Sequence, residues 1–519
     1  MTALDAAEAR LAGLERDANL AWWDMACDAT DAHSQAAEAA SAALEHALAD
    51  PELAAAAVPV DDSPLERRRA EVLGLMTAGR RRPPALIDRI VGLETELMGI
   101  HSRYRATDGA QELDAAAVDR VLQASTDLAE RERVWTSARG VGAAAAEPLR
   151  ELVRLRNEAA QALGHRDHYA MSLALDELDE QRLYGMLDDL EARLGPVWEA
   201  ERERIAAERR VALGLAADAP LMPWHLVDLC GQEPPSAGPD PLADAIADVD
   251  PLASAAAYFA DLGHPMDGVI ARSDVAPRPG KDQHAFMMHV DRRGDVRTLL
   301  NLAPTVRWLE TTLHELGHAA YELALDPGLP WLVRDPAHIL ATEAIAMLHG
   351  RAGRDAAFLE RYAGVPADVA RDPANAATLR RGLVVLAQWV QVMARFERAL
   401  YADPDRDLDR IWWDLVERHQ GIRRPDPVPV DAWASKIHLA VAPVYYHNYL
   451  LGEVLASQIT AWTRAETGAA TPAADPGRGG PRIAERLLRP GRSERWDRLV
   501  ERATGAPLGV DAFIVDAAG

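Results

Sequence analysis

Apolar residues recur at steps of three and four along most of the sequence, which is the pattern of an α-helix with one buried face. The pattern is clear at residues 3–20, 34–49 and 181–207, where Ala, Leu, Glu and Arg, all good helix formers, dominate. One pair of short apolar runs, 285–290 and 296–300 around a turn at 291–294, predicts a β-hairpin. The chain is therefore predicted to be mostly α-helical with one small sheet.

No shift in composition divides the 519 residues into independent domains. We expect a single domain over residues 1–519, with approximate lobes at 1–240 and 241–519 and a connection between them at 233–241. Residues 466–481 are rich in Gly, Ala and Pro and have no apolar period, so they predict a flexible loop.

The charge balance excludes several kinds of partner. The 56 Lys and Arg residues face 81 Asp and Glu residues, a net charge of −25, and no basic block interrupts this excess. Phosphate contacts need clustered cations, so neither a nucleic acid nor an anionic membrane is an expected partner.

Three further features predict a cytoplasmic, reducing location. Two cysteines, Cys27 and Cys230, are too few for a disulfide framework. The first residues lack the basic and then apolar pattern of a signal peptide. The longest apolar run, residues 382–394, is too short to cross a bilayer.

The most informative segment is WLETTLHELGHAAY at residues 308–321. His314 and His318 stand four apart, so a helix places both imidazoles on one face, where they can share a metal ion. Glu315 lies beside them and is placed to take a proton from a metal-bound water, as in zinc-dependent hydrolases with the H-E-x-x-H pattern. The apolar residues around the histidines predict a buried helix rather than a solvated one.

A catalytic zinc needs a third protein ligand. We predict Glu343 for this role, because a carboxylate inside the apolar segment 341–347 is costly unless a positive charge meets it. A solvent-facing helix carboxylate is the alternative reading of Glu343. Glu322 and Asp335 are weaker candidates for the same position.

Lysine is almost absent, since Lys281 and Lys436 are the only two lysines among the 56 basic residues. A compact ammonium suits a narrow pocket that a planar guanidinium cannot enter, for example one that faces a single carboxylate. This use of lysine suggests a specific role for each, although chance survival of two lysines is the alternative.

Three tyrosines follow Lys436. If Pro443 begins a helix, Tyr445 and Tyr446 lie one turn before Tyr449, and the three rings can line one side of a cleft. Tyrosine hydroxyls are neutral donors at pH 7 and suit the stabilisation of an oxyanion. An aromatic packing face is the alternative for at least one of them.

Taken together, these segments resemble the angiotensin-converting-enzyme family of zinc peptidyl dipeptidases in a compact bacterial-type form. The zinc motif fits the family form HExGHxxY through Gly317 and Tyr321, and the family's Glu-Ala-Ile begins at Glu343. Further matching stretches are NLAWWD at 19–24, SLALDEL at 172–178 and PWHL at 223–226.

The resemblance implies a two-lobed helical metallopeptidase with a deep central cleft and a β-hairpin beside the zinc helix. It implies one Zn²⁺ per chain, an oligopeptide substrate and release of C-terminal dipeptides. It also implies a role for each matching residue: His314, His318 and Glu343 as zinc ligands, Glu315 as the base, His284 and Ala285 as substrate contacts at the hairpin edge, Lys436, Tyr446 and Gln232 as contacts of the substrate's C-terminal carboxylate, His438 as a contact of the scissile-side carbonyls, and Tyr449 as the oxyanion donor.

The chain also departs from the family pattern. The family commonly has an acid four residues after the third ligand, which supports a zinc-binding histidine, and this chain has Met347 there. The same motifs resemble two related groups, thermostable-type carboxypeptidases and thimet-type oligopeptidases, and Lys436-Ile437-His438 favours the first family. A pathway-specific peptide or amide hydrolase and a non-catalytic peptide-binding relative stay open as alternatives.

Overall fold

The computed structural model describes residues 2–235 and 240–519, and within these the chain is mostly α-helical, as predicted. The first ten helices, in chain order, are α1 (Ala3–Cys27), α2 (Asp31–Leu48), α3 (Pro51–Ala55), α4 (Pro64–Ala78), α5 (Pro84–Arg103), α6 (Ala115–Ala124), α7 (Leu128–Arg139), α8 (Val141–Ala162), α9 (His168–Leu175) and α10 (Glu180–Ala212). The three segments predicted as helices from periodicity fall within α1, α2 and α10, apart from one residue at the end of the second.

The later helices are shorter on average and include the predicted metal-binding segment. They are α11 (Pro241–Ile246), α12 (Pro251–Asp261), α13 (Asp267–Ile270), α14 (Val306–Ala324), α15 (Ile339–Gly350), α16 (Ala356–Arg361), α17 (Ala367–Ala370), α18 (Pro373–Ala402), α19 (Leu408–Gln420), α20 (His438–Val441), α21 (His447–Thr467), α22 (Pro476–Ile483), α23 (Trp496–Thr504) and α24 (Asp511–Ala518). Among the described residues, no helix combines the length and the apolar character that a bilayer crossing requires.

The chain forms two compact units, each assembled from three separate segments. The first unit contains Met1–Arg81, Asp240–Leu379 and Leu451–Phe513, and the second contains Arg82–Pro239, Arg380–Leu450 and Ile514–Gly519. The single domain with lobes at 1–240 and 241–519 stays a prediction, and residues 236–239 of the predicted connection lie outside the described residues.

The core of the first unit forms around α14. Thr305 caps this helix, because its side chain accepts a hydrogen bond from the Trp308 N–H at 3.2 Å. Leu309, Leu313 and Leu316 follow at helical spacing and are fully buried, so this face packs into the hydrophobic core.

A two-stranded antiparallel sheet packs against α14 in the same unit. Its strands are β3 (Phe286–His289) and β4 (Val296–Leu299), which pair from Phe286 with Leu299 to His289 with Val296. The intervening turn contains Gly294 with φ +112°, a conformation that favours glycine. The predicted hairpin beside the helix of the H-E-x-x-H motif is therefore confirmed.

The second unit contains the other small sheet and a core rich in tryptophan. Strands β1 (Ala106–Asp108) and β2 (Gln111–Leu113) form an antiparallel pair. Fully buried tryptophans from α7, α18, α19 and the segment before α20 fill the interior: Trp135, Trp389, Trp412, Trp413 and Trp433. Each aromatic side chain of this size removes about 150–250 Å² of surface from water.

One expectation about local structure is wrong in part and another is wrong. The predicted flexible loop at 466–481 is non-helical only over 468–475, because its first two residues end α21 and its last six begin α22. Gly480 lets α22 pack against Leu262, whose carbonyl oxygen would lie 2.3 Å from an added Cβ. Pro443 does not begin a helix. Val444 adopts φ +58° and α21 begins at His447.

Candidate active site

Two histidines and one glutamate converge at the interface of α14 and α15. The Nε2 atoms of His314 and His318 lie 3.2 Å apart, and Glu343 Oε2 lies 3.8 Å from His314 Nε2. One donor atom from each of the three residues lies within 4.8 Å of the others. Glu343 is only 6% exposed, which excludes a solvent-facing carboxylate.

The donor set fits zinc. Zinc takes histidine nitrogens and carboxylate oxygens, and two nitrogens at ~2.0–2.1 Å from a tetrahedral ion lie about 3.3 Å apart, close to the spacing of this pair. Burial lowers the pKa of His314 to about 4 and that of His318 well below its usual value. Both imidazoles are therefore neutral at pH 7, which is the form that binds a metal.

Close contact between α14 and α15 brings the third residue to the pair. A Cβ added to Gly317 would lie 2.8 Å from Ala346 Cα, so only glycine allows the two backbones to approach this closely. The neighbour of Glu343 on α15 also reaches the pair, since Thr342 Oγ1 lies 2.7 Å from His318 Nδ1.

Glu315 is buried on the same helix as the two histidines. Burial and, secondarily, the charge of Glu343 raise the pKa of Glu315 to about 8, although a hydrogen bond from the Met287 N–H opposes this shift. That bond also ties Glu315 to strand β3 of the hairpin. A carboxyl with a pKa near neutrality can both release and accept a proton at pH 7.

The two weaker candidates for the third ligand are occupied elsewhere. Glu322 Oε2 lies 2.8 Å from His289 Nδ1, and Asp335 forms an ion pair with Arg292 at 3.3 Å. Among the residues that the structure describes, the only group of this kind that can hold a metal is His314, His318 and Glu343.

The predicted substrate contacts of the first unit lie at the start of the hairpin. His284 is exposed, and its backbone N–H donates to Asp282 Oδ1 at 2.9 Å. Ala285 is half-buried and leads directly into β3. Within the described ranges, no hydrogen bond joins the His284 ring to the candidate metal ligands.

A second group of predicted site residues assembles in the second unit around Lys436. Lys436 Nζ donates to Gln232 Oε1 at 2.9 Å. The ammonium also lies 5.2 Å from the ring centre of Trp389 and 5.4 Å from that of Tyr446, within the range of cation–π attraction. Gln232, the residue with the weakest sequence match, is thus in direct contact with the lysine.

The remaining predicted residues stack next to this lysine. The His438 and Tyr446 rings lie 5.0 Å apart, and the Tyr446 and Tyr449 rings lie 5.5 Å apart. Tyr445 packs on Tyr449 at 5.1 Å, so the three tyrosines form one cluster although the helix starts later than predicted. The structure therefore brings six residues named in the sequence analysis together in this unit.

Lys436 keeps its charge in this setting. Burial opposes the charged form, but the nearby Cys230, Tyr446 and Asp228 side chains outweigh it and raise the pKa of Lys436. A buried cation next to neutral aromatic donors is suited to bind an anionic group.

Sequence reasoning missed Thr342 and Trp389, which contact His318 and Lys436 respectively. Thr342 directly precedes the predicted ligand Glu343, which was its only signal. Trp389 lies 47 residues before Lys436 in the sequence, and nothing in the spacing indicates their contact.

A helical fold that brings two histidines of an H-E-x-x-H motif to one glutamate places the chain among helical proteins with a candidate metal site of this type. A similarity to one known family is found in the first part of the chain. Residues 1–201 match the model of a peptidase family described as angiotensin-converting enzyme, which confirms the resemblance predicted from the motifs. The matched region ends before α14, so the candidate metal ligands lie outside it. No curated protein matches the chain at a significant level.

Proposed function

We propose that the protein is a zinc metallopeptidase that removes dipeptides from the C-termini of oligopeptides. The observation that carries the proposal is the convergence of His314, His318 and Glu343 beside the buried Glu315. The family match over residues 1–201 supports a peptidase. His314, His318 and Glu343 would hold one zinc ion, which when bound polarises the scissile carbonyl and lowers the pKa of a water toward ~7.

Glu315 is the proton carrier of the proposed reaction. It takes the proton from the attacking water and later gives it to the leaving amine, so its carboxyl must exchange a proton near neutral pH. Its buried position and its raised pKa suit this role. The hydrogen bond from the Met287 backbone holds the carboxylate at the edge of the hairpin, where Ala285 and His284 would pair with the peptide.

The Lys436 group provides the specificity in this proposal. Lys436, Gln232 and Tyr446 would bind the substrate's C-terminal carboxylate, and a cation two residues beyond the cut favours dipeptide release. His438 would contact the scissile-side carbonyls and Tyr449 would stabilise the oxyanion, since its hydroxyl donates more strongly as negative charge develops.

Mass spectrometry of the products from a defined oligopeptide tests the function. We expect zinc-dependent loss of two C-terminal residues, abolished by a chelator and by Glu315→Gln. Glu310→Gln is the matched control, because Glu310 lies on the same helix and pairs with Arg354 instead, at 2.8 Å. Loss of one residue, or internal cleavage, would assign the chain to the carboxypeptidase or oligopeptidase type.

Absence of any cleavage needs a second measurement. Metal analysis of the purified protein then separates a peptide-binding protein that holds zinc from one that holds none. Peptide binding without cleavage would replace the proposal by the non-catalytic alternative, and lack of zinc binding would overturn the metal site itself.

A further inference from the structure

A histidine that binds a metal through one ring nitrogen usually donates the N–H of the other nitrogen to a nearby acceptor. This outer contact fixes the tautomer and the ring orientation, and its loss weakens metal binding. The family resemblance leads us to expect a carboxylate for this purpose four residues after Glu343, where this chain has Met347. A Cβ added to Gly452 would lie 3.1 Å from Met347 Sδ, so this thioether packs against α21.

We infer that the hydroxyl of Thr342 orients His318, so that this ligand has an outer contact although position 347 offers no carboxylate. Thr342 Oγ1 lies 2.7 Å from His318 Nδ1, and both Nε2 atoms of the histidine pair point toward each other at 3.2 Å. If Nε2 binds the metal, Nδ1 carries the proton and donates it to the hydroxyl. The inference rests on the proposed zinc site.

The position of Thr342 makes this contact rigid. Thr342 is 7% exposed and directly precedes Glu343 on α15, so one helix turn supplies both the third ligand and the group that orients the second. The tight approach at Gly317 fixes α15 against α14. Thr342 is therefore a positioning residue, since it acts through His318 and not on the substrate.

A hydroxyl differs from a carboxylate in a measurable way. A neutral acceptor adds no negative charge to the imidazole, whereas a carboxylate raises the basicity of the ligand. With Thr342 as the acceptor, His318 keeps its orientation, but its metal-binding nitrogen is less electron-rich than it would be beside a carboxylate.

The test compares Thr342→Val, which keeps the shape and removes the hydroxyl, with Thr342→Ser, which restores it. Thr342→Val is expected to weaken zinc binding by about ten- to a hundredfold, measured by competition with a chromophoric chelator. Thr342→Ser is expected to bind zinc like the wild type. The rise in unfolding temperature on addition of zinc is expected to follow the same order.

Thr312→Val is the matched control. Thr312 is also a fully buried threonine of the first unit, but its hydroxyl donates to the Trp308 carbonyl oxygen at 2.6 Å. This variant is expected to keep wild-type zinc affinity. Circular dichroism and the unfolding temperature of the zinc-free proteins show whether each variant folds.

The outcomes separate this inference from the proposed function. If the wild type binds zinc and Thr342→Val binds it equally well, the orienting role of Thr342 is wrong while the peptidase proposal stands. If the serine variant is as weak as the valine variant, the hydroxyl is not the cause and the inference fails. If the wild type binds no zinc, the proposed function and the inference both fail.

Discussion

Lys281, one of the two lysines of the chain, lies in an enclosed site lined by oxygen atoms. Lys281 is buried, and its ammonium donates to the carbonyl oxygens of Asp274, Ala276 and Leu300 and to the Asp274 carboxylate. This supports the sequence-based idea that a compact ammonium sits where a planar guanidinium cannot. Four acceptor oxygens surround the ammonium and share its three N–H donors, a compact arrangement that a planar guanidinium does not match.

Lys281→Arg is expected to destabilise the first unit by about 1–3 kcal/mol, because the larger head group overpacks this enclosed site. Urea unfolding monitored by tryptophan fluorescence measures the loss. Arg278→Lys is the control, since Arg278 pairs with the same Asp274 from a 41% exposed position and should change stability by less than about 0.5 kcal/mol. Equal effects of the two substitutions would contradict the packing argument.

Lys436 is the residue on which the dipeptide proposal depends. A buried, charge-assisted contact with a carboxylate contributes on the order of 1.5–3 kcal/mol, so Lys436→Met should lower kcat/KM roughly ten- to a hundredfold on peptides with a free C-terminus. Peptides with an amidated C-terminus lack the carboxylate and should show little difference between the two proteins. If the variant cleaves both kinds of peptide as the wild type does, the lysine does not bind the C-terminus.

At the scale of elements, the metal group depends on how closely α14 and α15 approach. Gly317→Ala would place a methyl group 2.8 Å from Ala346 Cα, so α15 must move outward. We expect a loss of about 1–3 kcal/mol in stability and weaker zinc binding, because Glu343 moves with the helix. Thermal unfolding and chelator competition measure the two effects.

Gly13→Ala is the control for this substitution. Gly13 lies inside α1 of the same unit, and an added Cβ there meets nothing within 4 Å. Alanine should stabilise that helix by about 0.5–1 kcal/mol, since it is the better helix former. If the Gly317→Ala protein is as stable as the wild type and binds zinc equally well, α14 and α15 can accommodate the methyl group and the packing argument is wrong.

The segment at residues 443–449, which contains the three tyrosines, shows a feature that local sequence rules do not predict. Val444 takes a left-handed conformation that costs a β-branched residue of order 1–3 kcal/mol, and its N–H donates to Glu397 Oε1 at 2.7 Å. A hydrogen bond to a side chain 47 residues away thus accompanies the non-helical backbone before α21. Periodicity, helix caps and proline rules describe only near neighbours along the chain.

Glu397 is expected to make stability depend on pH. Burial raises its pKa from 4.5 to about 8, although the Val444 N–H and Arg156 oppose the shift; Tyr169 and Tyr401 also face it. Between these values the folded state binds more protons than the unfolded state, so this group's contribution falls as pH rises, by at most about 1.4 kcal/mol per pH unit.

Glu397→Gln removes this dependence and keeps an oxygen that can accept from Val444. The free energy of unfolding of the variant, relative to the wild type, is therefore expected to increase between pH 5 and pH 8. Urea unfolding at several pH values measures this difference. A difference that stays constant over this range would show that Glu397 does not titrate there.

At the scale of the whole molecule, the sequence predicts which helices and strands form better than it predicts how they group into compact units. Helical periodicity, the hairpin and the candidate metal-ligand triplet follow from spacings of a few residues and from the cost of burying Glu343 without a cation. The grouping of the chain into two units of three segments each depends on contacts between distant residues, such as Lys436 with Gln232, which no local pattern contains. The Gly-rich segment at α22 is misread for the same reason, since its helix is stabilised by packing on Leu262.

Zinc is expected to stabilise one unit more than the other, because the three candidate ligands all lie in the first unit. A ligand at one hundred times its Kd adds about 2.7 kcal/mol, which corresponds to about a hundredfold slower hydrogen exchange through unfolding of that unit. Removal of zinc should therefore speed amide exchange in α14 and α15 and leave amide exchange in α8 and α10 of the second unit nearly unchanged.

Hydrogen exchange with mass spectrometry, with and without a chelator, measures these exchange rates directly. His318→Ala is the control, and its α14 and α15 should exchange at the same rate under both conditions. Equal acceleration in both units would mean that they unfold together, and no acceleration in α14 or α15 would contradict zinc binding by this triplet.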